Sequence, residues 1–216
     1  MIRDGKVSVD GRPVRKASFI VDAGNVIEAE AVPWVSRAAG KLIGALDDAG
    51  STVPARVLDA GASTGGFTQV CLDRGAQRVF AVDVGHDQLA EEVRSDPRVT
   101  VHEGLNLRDL TLEHLDGEPV DLVVGDVSFI SLTMILEPML AVCRGQALLL
   151  VKPQFEVGRE KLGRDGIVVK EADRRAAIDT VAQKAASLGW HVLWEGPSRV
   201  VGTHGNVEHF LHLGRR

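Results

Sequence analysis

The stretch Ala-Arg-Val-Leu-Asp-Ala-Gly-Ala-Ser-Thr-Gly-Gly-Phe-Thr, residues 55–68, decides the fold of this chain. Its apolar first half predicts a buried strand over residues 56–59. Its glycine-rich second half leads into a helix that we predict over residues 65–74. Glycine lets the backbone turn tightly and approach a ligand, and a helix N-terminus adds unpaired N–H groups. The stretch therefore predicts a strand, a ligand-binding loop and a helix in succession.

Strands and helices alternate on both sides of this unit. A helix is predicted over residues 36–50. Further strands are predicted over residues 78–83, 98–102, 120–125, 147–151, 191–194 and 207–213, and further helices over 86–95, 130–143 and 171–189. The runs at 120–125 and 147–151 are almost entirely apolar, as expected for strands buried on both faces. The alternation predicts an α/β fold with a Rossmann-like, doubly wound and mostly parallel sheet.

The N-terminal segment has a different pattern. Residues 1–30 read as short strands and turns, with Asp10-Gly11 as a strong turn dipeptide, and predict a small β-rich remnant. Residues 31–35, which include Pro33, read as a linker. We therefore expect the main domain to occupy residues 36–216.

Composition restricts the location of the protein. The 216 residues contain no apolar run of the ~18 residues needed to span a bilayer, and no apolar stretch follows the N-terminal charges. Cys71 and Cys143 each fall in a predicted helix and form no Cys-x-x-Cys pair, so neither a disulfide framework nor a metal site is predicted. We expect a cytoplasmic protein with buried thiols.

The net charge of −5 argues against a nucleic-acid partner, but the charge is unevenly distributed. Residues 1–16 carry +3, because five cations outnumber two aspartates, and the rest of the chain therefore carries −8. The five cations are Arg3, Lys6, Arg12, Arg15 and Lys16. They form either a basic arm that contacts phosphates or simply a solvated face.

The glycine-rich loop suits one cofactor better than another. A dinucleotide motif needs three glycines in the pattern G-x-G-x-x-G, but the three positions here are Gly61, Ser63 and Gly66. Asp59 precedes the loop, where it would repel a pyrophosphate but suit the sulfonium and ammonium groups of S-adenosylmethionine. Asp83 ends the next strand and could accept hydrogen bonds from a ribose in either cofactor. The loop therefore favours S-adenosylmethionine over NAD.

Asn106 follows the third predicted strand, in Glu103-Gly104-Leu105-Asn106. In this layout its side-chain amide could bind an adenine ring. It could equally form an Asx turn, and both interpretations stay open.

Four charged residues stand where the fold does not require them: Lys41, Asp126, Lys152 and Glu208. Asp126 and Lys152 each follow a buried strand, and the carboxyl ends of parallel strands meet at one edge of the sheet. Glu208 would join them if the last strand is antiparallel. Taken singly, each residue is also compatible with a surface position or, for Asp126 with Ser128, with a helix cap.

These residues suit methyl transfer to a ribose hydroxyl. Such a hydroxyl must lose its proton as it attacks the sulfonium methyl group, and a lysine serves as the base when its surroundings bring its pKa near neutrality. We assign Lys152 as the base or hydroxyl-activating group. Asp126 and Glu208 would position it, and Lys41 would either position the substrate or add positive charge.

Four motifs in order resemble the TlyA family, proteins often labelled hemolysins that belong with the FtsJ-like ribose 2′-O-methyltransferases. They are residues 59–68, Asp-Val-Ser-Phe-Ile-Ser at 126–131, Val-Lys-Pro-Gln-Phe-Glu at 151–156 and Gly-Asn-Val-Glu at 205–208. The resemblance implies a class I methyltransferase sheet of seven strands with an antiparallel last strand. It also implies a catalytic tetrad of Lys41, Asp126, Lys152 and Glu208, and cytidines of 16S and 23S ribosomal RNA as substrates.

The resemblance extends to the cofactor and RNA contacts. For S-adenosylmethionine the expected contacts are Asp59, Gly61, Ser63, Thr64, Gly65, Gly66, Phe67, Asp83, Val84, Asn106 and Asp126. For ribosomal RNA they are Arg3, Lys6, Arg12, Arg15, Lys16 and Arg37. The segment Gly5–Lys16 resembles the strand-and-turn part of the S4 RNA-binding domain, without the two helices that usually precede it.

Three other functions are less compatible with these residues. An NAD- or nucleotide-dependent enzyme would make no use of Lys41, Lys152 or Glu208. A non-catalytic RNA-binding or ribosome-assembly protein would not need the tetrad. A membrane-lytic protein would need an amphipathic or spanning element, whereas the strongest apolar segments here have strand length.

Overall fold

Three short strands form a small antiparallel sheet near the N-terminus, in the order β2, β1, β3. They are β1 (Val7–Val9), β2 (Arg12–Pro13) and β3 (Ile27–Ala29). Asp10 and Gly11 connect β1 to β2 with φ angles of 52° and 75°, which a two-residue hairpin turn requires. The predicted turn at this dipeptide is confirmed.

The computed structural model describes residue 2 and residues 5–29, 33–202 and 205–215. The chain divides into two compact units, Met1–Pro33 and Trp34–Arg216. No helix in the described ranges is long and apolar enough to cross a membrane.

The second unit is built on a seven-stranded sheet with the order β6, β5, β4, β7, β8, β10, β9. Its strands are β4 (Arg56–Ala60), β5 (Arg78–Asp83), β6 (Val99–Glu103), β7 (Val120–Gly125), β8 (Cys143–Val151), β9 (Trp190–Pro197) and β10 (His209–Arg215). The first five are parallel, whereas β10 is antiparallel to both β8 and β9. The predicted seven-stranded, doubly wound sheet with an antiparallel last strand is confirmed.

Helices cover the two faces of this sheet. They are α1 (Ala38–Ala49), α2 (Gly66–Asp73), α3 (Glu91–Arg94), α4 (Leu136–Ala141), α5 (Pro153–Glu156) and α6 (Glu171–Ser187). One apolar cluster includes Leu42 of α1, Val70 of α2 and Phe210 of β10, and a second includes Met139 of α4 and Val181 of α6. The central strands contribute to both clusters, which explains why their sequences are apolar without alternation.

Two predicted helices are wrong in extent. The helix expected over 86–95 is reduced to the single turn of α3, because Asp87 has a φ of 55° that an α-helix does not allow. The helix expected over 130–143 consists of a 3₁₀ turn, Leu132–Met134, and the short α4. Cys143 therefore does not lie in a helix: it begins β8, where it pairs with Val120 of β7.

The last strand also begins later than predicted, at His209, so Glu208 lies just before it. Because β10 is antiparallel to β8, the start of β10 lies beside the end of β8, with His209 opposite Val151. This register brings Glu208 to the sheet edge at which Lys152 follows β8.

Candidate functional site

The glycine-rich loop crosses the carboxyl edge of the sheet between β4 and α2. The N–H groups of Gly61 and Ala62 donate hydrogen bonds of 2.8 and 3.1 Å to the carbonyl oxygen of Val82. Gly61 has a φ of 84°, and a Cβ at this position would lie 3.2 Å from the Cα of Val127. A glycine is required here because the loops after β4 and β7 are in close contact.

A cavity of about 420 Å³ lies beside this loop, a volume typical of small-molecule sites. Its charged lining residues are Asp83 and Asp126, and no lysine, arginine or histidine of the described chain lines it. The rest of the wall is largely apolar, with Leu105, Val127 and Ile135 among its residues. The cavity therefore suits a ligand with an apolar body and positive charge.

Asp83 is held rigidly at the end of β5. Its two carboxylate oxygens accept hydrogen bonds of 2.8 Å from the backbone N–H groups of Ser63 and Gly85. Ser63 has a φ of 47°, in the left-handed region, which directs its N–H toward the carboxylate. The remaining lone pairs of Asp83 can accept hydrogen bonds from ligand hydroxyls at the cavity wall.

Asn106 forms the Asx turn and still leaves its amide group able to contact a ligand, so both predicted roles are compatible. Its Oδ1 accepts a hydrogen bond of 3.0 Å from the N–H of Arg108, which is the Asx turn. The residue also lines the 420 Å³ cavity, and its Nδ2 has no partner within the described chain. The amide can therefore still donate to a ring nitrogen of a ligand.

Asp59 lies deeper than its sequence position indicates. Its side chain is completely buried, and it lines neither this cavity nor the neighbouring one described below. Its Oδ2 accepts a hydrogen bond of 2.6 Å from Thr68, whereas Oδ1 is buried without a partner. Burial is the main reason that its pKa rises to about 7, and hydrogen bonds from Thr68 oppose this rise.

A second cavity, of about 200 Å³, adjoins the first, and the two share Gly61, Ser63, Asp126 and Ser128 as lining residues. Lys41 and Lys152 line only the second cavity, together with Arg37. A single wall therefore separates a cavity lined by acidic groups from one lined by cationic groups.

The four charged residues selected from the sequence form one network of ion pairs. Lys152 Nζ lies 2.6 Å from Asp126 Oδ1, and Lys41 Nζ lies 3.3 Å from Asp126 Oδ2. Lys41 Nζ also lies 2.7 Å from Glu208 Oε2. The exposed fractions of Lys41, Lys152 and Glu208 are 5%, 8% and 4%, so their charges are compensated mainly by one another.

The elements that carry these residues explain how they converge. Lys41 lies in the first turn of α1, Asp126 directly follows β7, and Lys152 directly follows β8. Glu208 has room beside Lys41 because residue 202 is glycine: a Cβ there would lie 2.7 Å from Glu208 Oε1. The structure thus brings together residues that are up to 167 positions apart in the sequence.

The loop that follows Asp126 contributes two further residues to the site: Ser128, which the sequence suggested only as part of a helix cap, and Phe129, for which it suggested no role. Ser128 Oγ accepts a hydrogen bond of 2.7 Å from Lys152 Nζ. Phe129 is 90% exposed, has a φ of 65°, and lines the larger cavity. An aromatic residue inside a polar loop after a strand is the sequence signal that could have indicated Phe129.

Glu156 clamps this loop. Its carboxylate accepts hydrogen bonds of 2.5 Å from Ser131 Oγ and 2.8 Å from the N–H of Leu132. Burial raises the pKa of Glu156, and these two hydrogen bonds oppose the rise. Because Glu156 lies in α5, the loops after β7 and β8 are tied together.

The structure separates the predicted cofactor residues into three groups. Those that line the larger cavity are Gly61, Ser63, Asp83, Val84, Asn106 and Asp126. Thr64, Gly66 and Phe67 line only the smaller one, where Phe67 also packs against Phe210. Asp59 and Gly65 line neither.

The predicted RNA contacts fall in both units. Lys6, Arg12, Arg15 and Lys16 are exposed on the N-terminal unit, and Arg3 lies outside the described residues. Arg37 is exposed on the second unit and lines the smaller cavity.

Comparison with known proteins gives consistent matches. The family described as FtsJ-like methyltransferase matches residues 34–215, and the S4 domain family matches residues 1–27. The chain is 48% identical to the 16S/23S rRNA (cytidine-2′-O)-methyltransferase TlyA of Mycobacterium tuberculosis, over 99% of this chain and 81% of that protein.

Two solved structures resemble the chain, one in sequence and fold and the other in fold alone. One is a protein from Streptococcus thermophilus described as a hemolysin, with a TM-score of 0.85 and 37% identity over 99% of this chain and 80% of that one. The other is magnesium protoporphyrin IX methyltransferase from Synechocystis with bound S-adenosylhomocysteine (SAH), with a TM-score of 0.58 and 16% identity over 83% of each chain. The second likeness shows the fold alone.

Proposed function

The chain belongs to the FtsJ-like methyltransferases, within them to the TlyA proteins, and on this premise we propose that it methylates the ribose 2′-hydroxyl of cytidines in 16S or 23S ribosomal RNA. The observation that carries the proposal is the position of Lys152. It is buried against Asp126 in a small cationic cavity that shares a wall with a cavity suited to a cationic cofactor.

S-adenosylmethionine fits the larger cavity by charge and by hydrogen bonding. It carries a sulfonium and an ammonium group, and the charged lining residues are the carboxylates Asp83 and Asp126. Asp83 would accept hydrogen bonds from the ribose hydroxyls, and Asn106 would donate one to the adenine ring. A pyrophosphate would meet two carboxylates and no cation of the described chain, which disfavours NAD.

The residues of the chain then divide the work of the reaction. The cofactor supplies an electrophilic methyl group when bound. Lys152 Nζ acts as the general base and takes the proton of the 2′-hydroxyl as the ribose oxygen attacks the methyl carbon. Asp126 holds Lys152 and Lys41 on its two oxygens, and Glu208 fixes Lys41 from the other side.

Phe129 offers a surface for the base of the target nucleotide. An exposed aromatic ring on a backbone with positive φ is costly unless the surroundings or a ligand use it. Stacking of a nucleobase on an aromatic ring is worth ~1–3 kcal/mol, whatever the base. A base stacked on Phe129 would bring its ribose close to the shared wall of the two cavities.

RNA affinity would come from the N-terminal unit. The exposed cations Lys6, Arg12, Arg15 and Lys16 can neutralise phosphates, while Arg37 would act beside the tetrad. In this proposal residues 1–30 form a partial RNA-binding module, 31–35 a linker and 36–216 the methyltransferase domain. The reaction would take place on ribosomal RNA in the cytoplasm.

The direct test is methyl transfer from radiolabelled S-adenosylmethionine to unmethylated ribosomal subunits and to naked ribosomal RNA. The Lys152→Ala protein is measured alongside, with binding of S-adenosylmethionine to both proteins as a control for folding. A 2′-O-methyl group protects the adjacent phosphodiester from alkali, so product that survives alkaline hydrolysis as a dinucleotide identifies the ribose as the acceptor.

The expected result is label in an alkali-stable dinucleotide for the natural protein and none above background for the variant. Label on a base, or equal incorporation by both proteins, would overturn the proposed chemistry. Cofactor binding and RNA binding without any transfer would instead indicate a non-catalytic RNA-binding protein.

A further inference from the structure

We propose that Ser128 is a positioning residue that orients the amine of Lys152 toward the ribose hydroxyl, an inference that rests on the proposed function. Ser128 lies two residues after Asp126 and lines both cavities. Its hydroxyl is the second partner of Lys152, after the carboxylate of Asp126.

The geometry gives Lys152 two partners at nearly equal distances, an ion pair with Asp126 and a hydrogen bond to Ser128. Its Nζ lies 2.6 Å from Asp126 Oδ1 and 2.7 Å from Ser128 Oγ. A neutral lysine amine has two N–H bonds and one lone pair. The hydrogen bond to Ser128 fixes the direction of one N–H bond, while the Asp126 carboxylate holds the amine electrostatically from a second side. The lone pair is then confined to the remaining directions, and of the two cavities Lys152 lines only the smaller one.

Without Ser128 this orientation would be lost. Rotation about the Cε–Nζ bond would allow the amine to stay beside Asp126 while its lone pair turned away from the substrate. Catalysis by a general base depends on alignment, and a misplacement of ~1 Å costs about 100-fold in rate.

Comparison with Lys41 explains why the two lysines are not equivalent. Lys41 contacts two carboxylates, Asp126 and Glu208. Lys152 shares the Asp126 carboxylate with Lys41, and its second partner is the uncharged hydroxyl of Ser128. The tetrad is therefore asymmetric, and of its two lysines Lys152 is the one whose amine is oriented by an uncharged hydroxyl.

The proton balance of the step is simple. The proton of the 2′-hydroxyl passes to Lys152 Nζ, and the oxygen forms a bond to the methyl carbon. The electron pair of the broken carbon–sulfur bond stays on sulfur. Ser128 exchanges no proton, because its hydroxyl oxygen accepts a hydrogen bond from an N–H group of Lys152 throughout the step.

The test compares Ser128→Ala with Ser128→Thr, which restores the hydroxyl. Single-turnover methyl transfer is measured at saturating S-adenosylmethionine and ribosomal subunits, and the dissociation constants of both are measured separately. Ser187→Ala is the matched control, because Ser187 is also exposed and, among the described residues, its hydroxyl bonds only to the carbonyl oxygen of Lys184 in its own helix.

We expect Ser128→Ala to lower the single-turnover rate by about 10- to 100-fold, with both dissociation constants within about threefold of the natural protein. Ser128→Thr should recover most of the rate, and Ser187→Ala should not change it.

A rate for Ser128→Ala equal to that of the natural protein would overturn the inference. So would a loss explained entirely by weaker binding, or a Ser128→Thr protein as slow as Ser128→Ala. These outcomes differ from failure of the proposed function itself, in which the natural protein transfers no methyl group to the ribose.

Discussion

The hydroxyl of Thr68 donates a 2.6 Å hydrogen bond to the carboxylate of Asp59, and both side chains are completely buried beneath the glycine-rich loop. Burial raises the pKa of Asp59 from 3.8 to about 7 in spite of this bond. The carboxyl group therefore holds its proton over a range in which the unfolded chain has released its own.

The stability of the protein should depend on pH through Asp59. Folding takes up a proton between about pH 4 and pH 7, so the contribution of this group to the free energy of unfolding falls as pH rises through that window, by about 4 kcal/mol at most. Asp59→Asn removes the titration. The free energy of unfolding of this variant, compared with that of the natural protein, should rise between pH 4 and pH 7, and the difference should stay constant above pH 7. Urea unfolding at a series of pH values measures both free energies. Parallel pH curves for the two proteins would contradict the prediction.

Breaking the pair between Lys41 and Glu208 should destabilise the fold. Lys41→Met leaves Glu208, 4% exposed, without its cation, and a broken buried pair typically costs about 3–5 kcal/mol. Adding Glu208→Gln should recover a large part of that loss without restoring methyl transfer. Urea unfolding of the three proteins measures the effect.

A surface pair provides the control for that experiment. Arg199→Met breaks the exposed ion pair with Asp48, and the expected loss is below about 1 kcal/mol. If Lys41→Met costs no more than Arg199→Met, the buried network does not stabilise the fold as argued.

Removal of the Asp83 carboxylate should weaken binding of S-adenosylmethionine. Charge-assisted hydrogen bonds contribute about 1.5–3 kcal/mol, so Asp83→Ala should raise the dissociation constant about 10- to 100-fold in calorimetry. Glu92→Ala, an exposed acidic residue on α3, is the control for the change in net charge. Equal affinities of the two variants would show that Asp83 does not contact the cofactor.

Replacement of Phe129 should separate folding from activity. Because the ring is exposed, Phe129→Ala should leave the free energy of unfolding nearly unchanged. Phe129→Gly should be about 1 kcal/mol more stable than the natural protein, because glycine accepts the φ of 65° without strain. Both variants should lose about 10-fold or more in kcat/KM for RNA, whereas Phe129→Tyr, which keeps the aromatic face, should stay near the natural value.

The readouts are urea unfolding and methyl transfer at varied RNA concentration. A Phe129→Ala protein with normal kcat/KM for RNA would show that the ring does not meet the target base.

The fold followed from patterns that are local in the sequence. The apolar runs of β7 and β8 and the glycine-rich loop at 61–66 fixed the alternation of strands and helices, because burial and backbone conformation act on neighbouring residues. The errors arose where tertiary contacts overrule local preference. Cys143 lies in β8 and not in a helix, because it pairs with Val120 of β7. Residues 86–90 lie outside the predicted helix, because the positive φ of Asp87 turns the chain there.

The sequence by itself determined that Asp126 and Lys152 follow buried strands, and its resemblance to a known family added Lys41 and Glu208 to the residues expected to carry chemistry. Only the tertiary structure decided how they are paired, that Asp59 lies beneath the ligand loop and lines neither cavity, and that Ser128 is the second partner of Lys152. The physical reason is the difference in range between local and tertiary interactions along the chain. Propensity and periodicity act over a few residues, whereas burial, ion pairing and the sharing of one carboxylate by two lysines depend on distances that exist only after the sheet has formed.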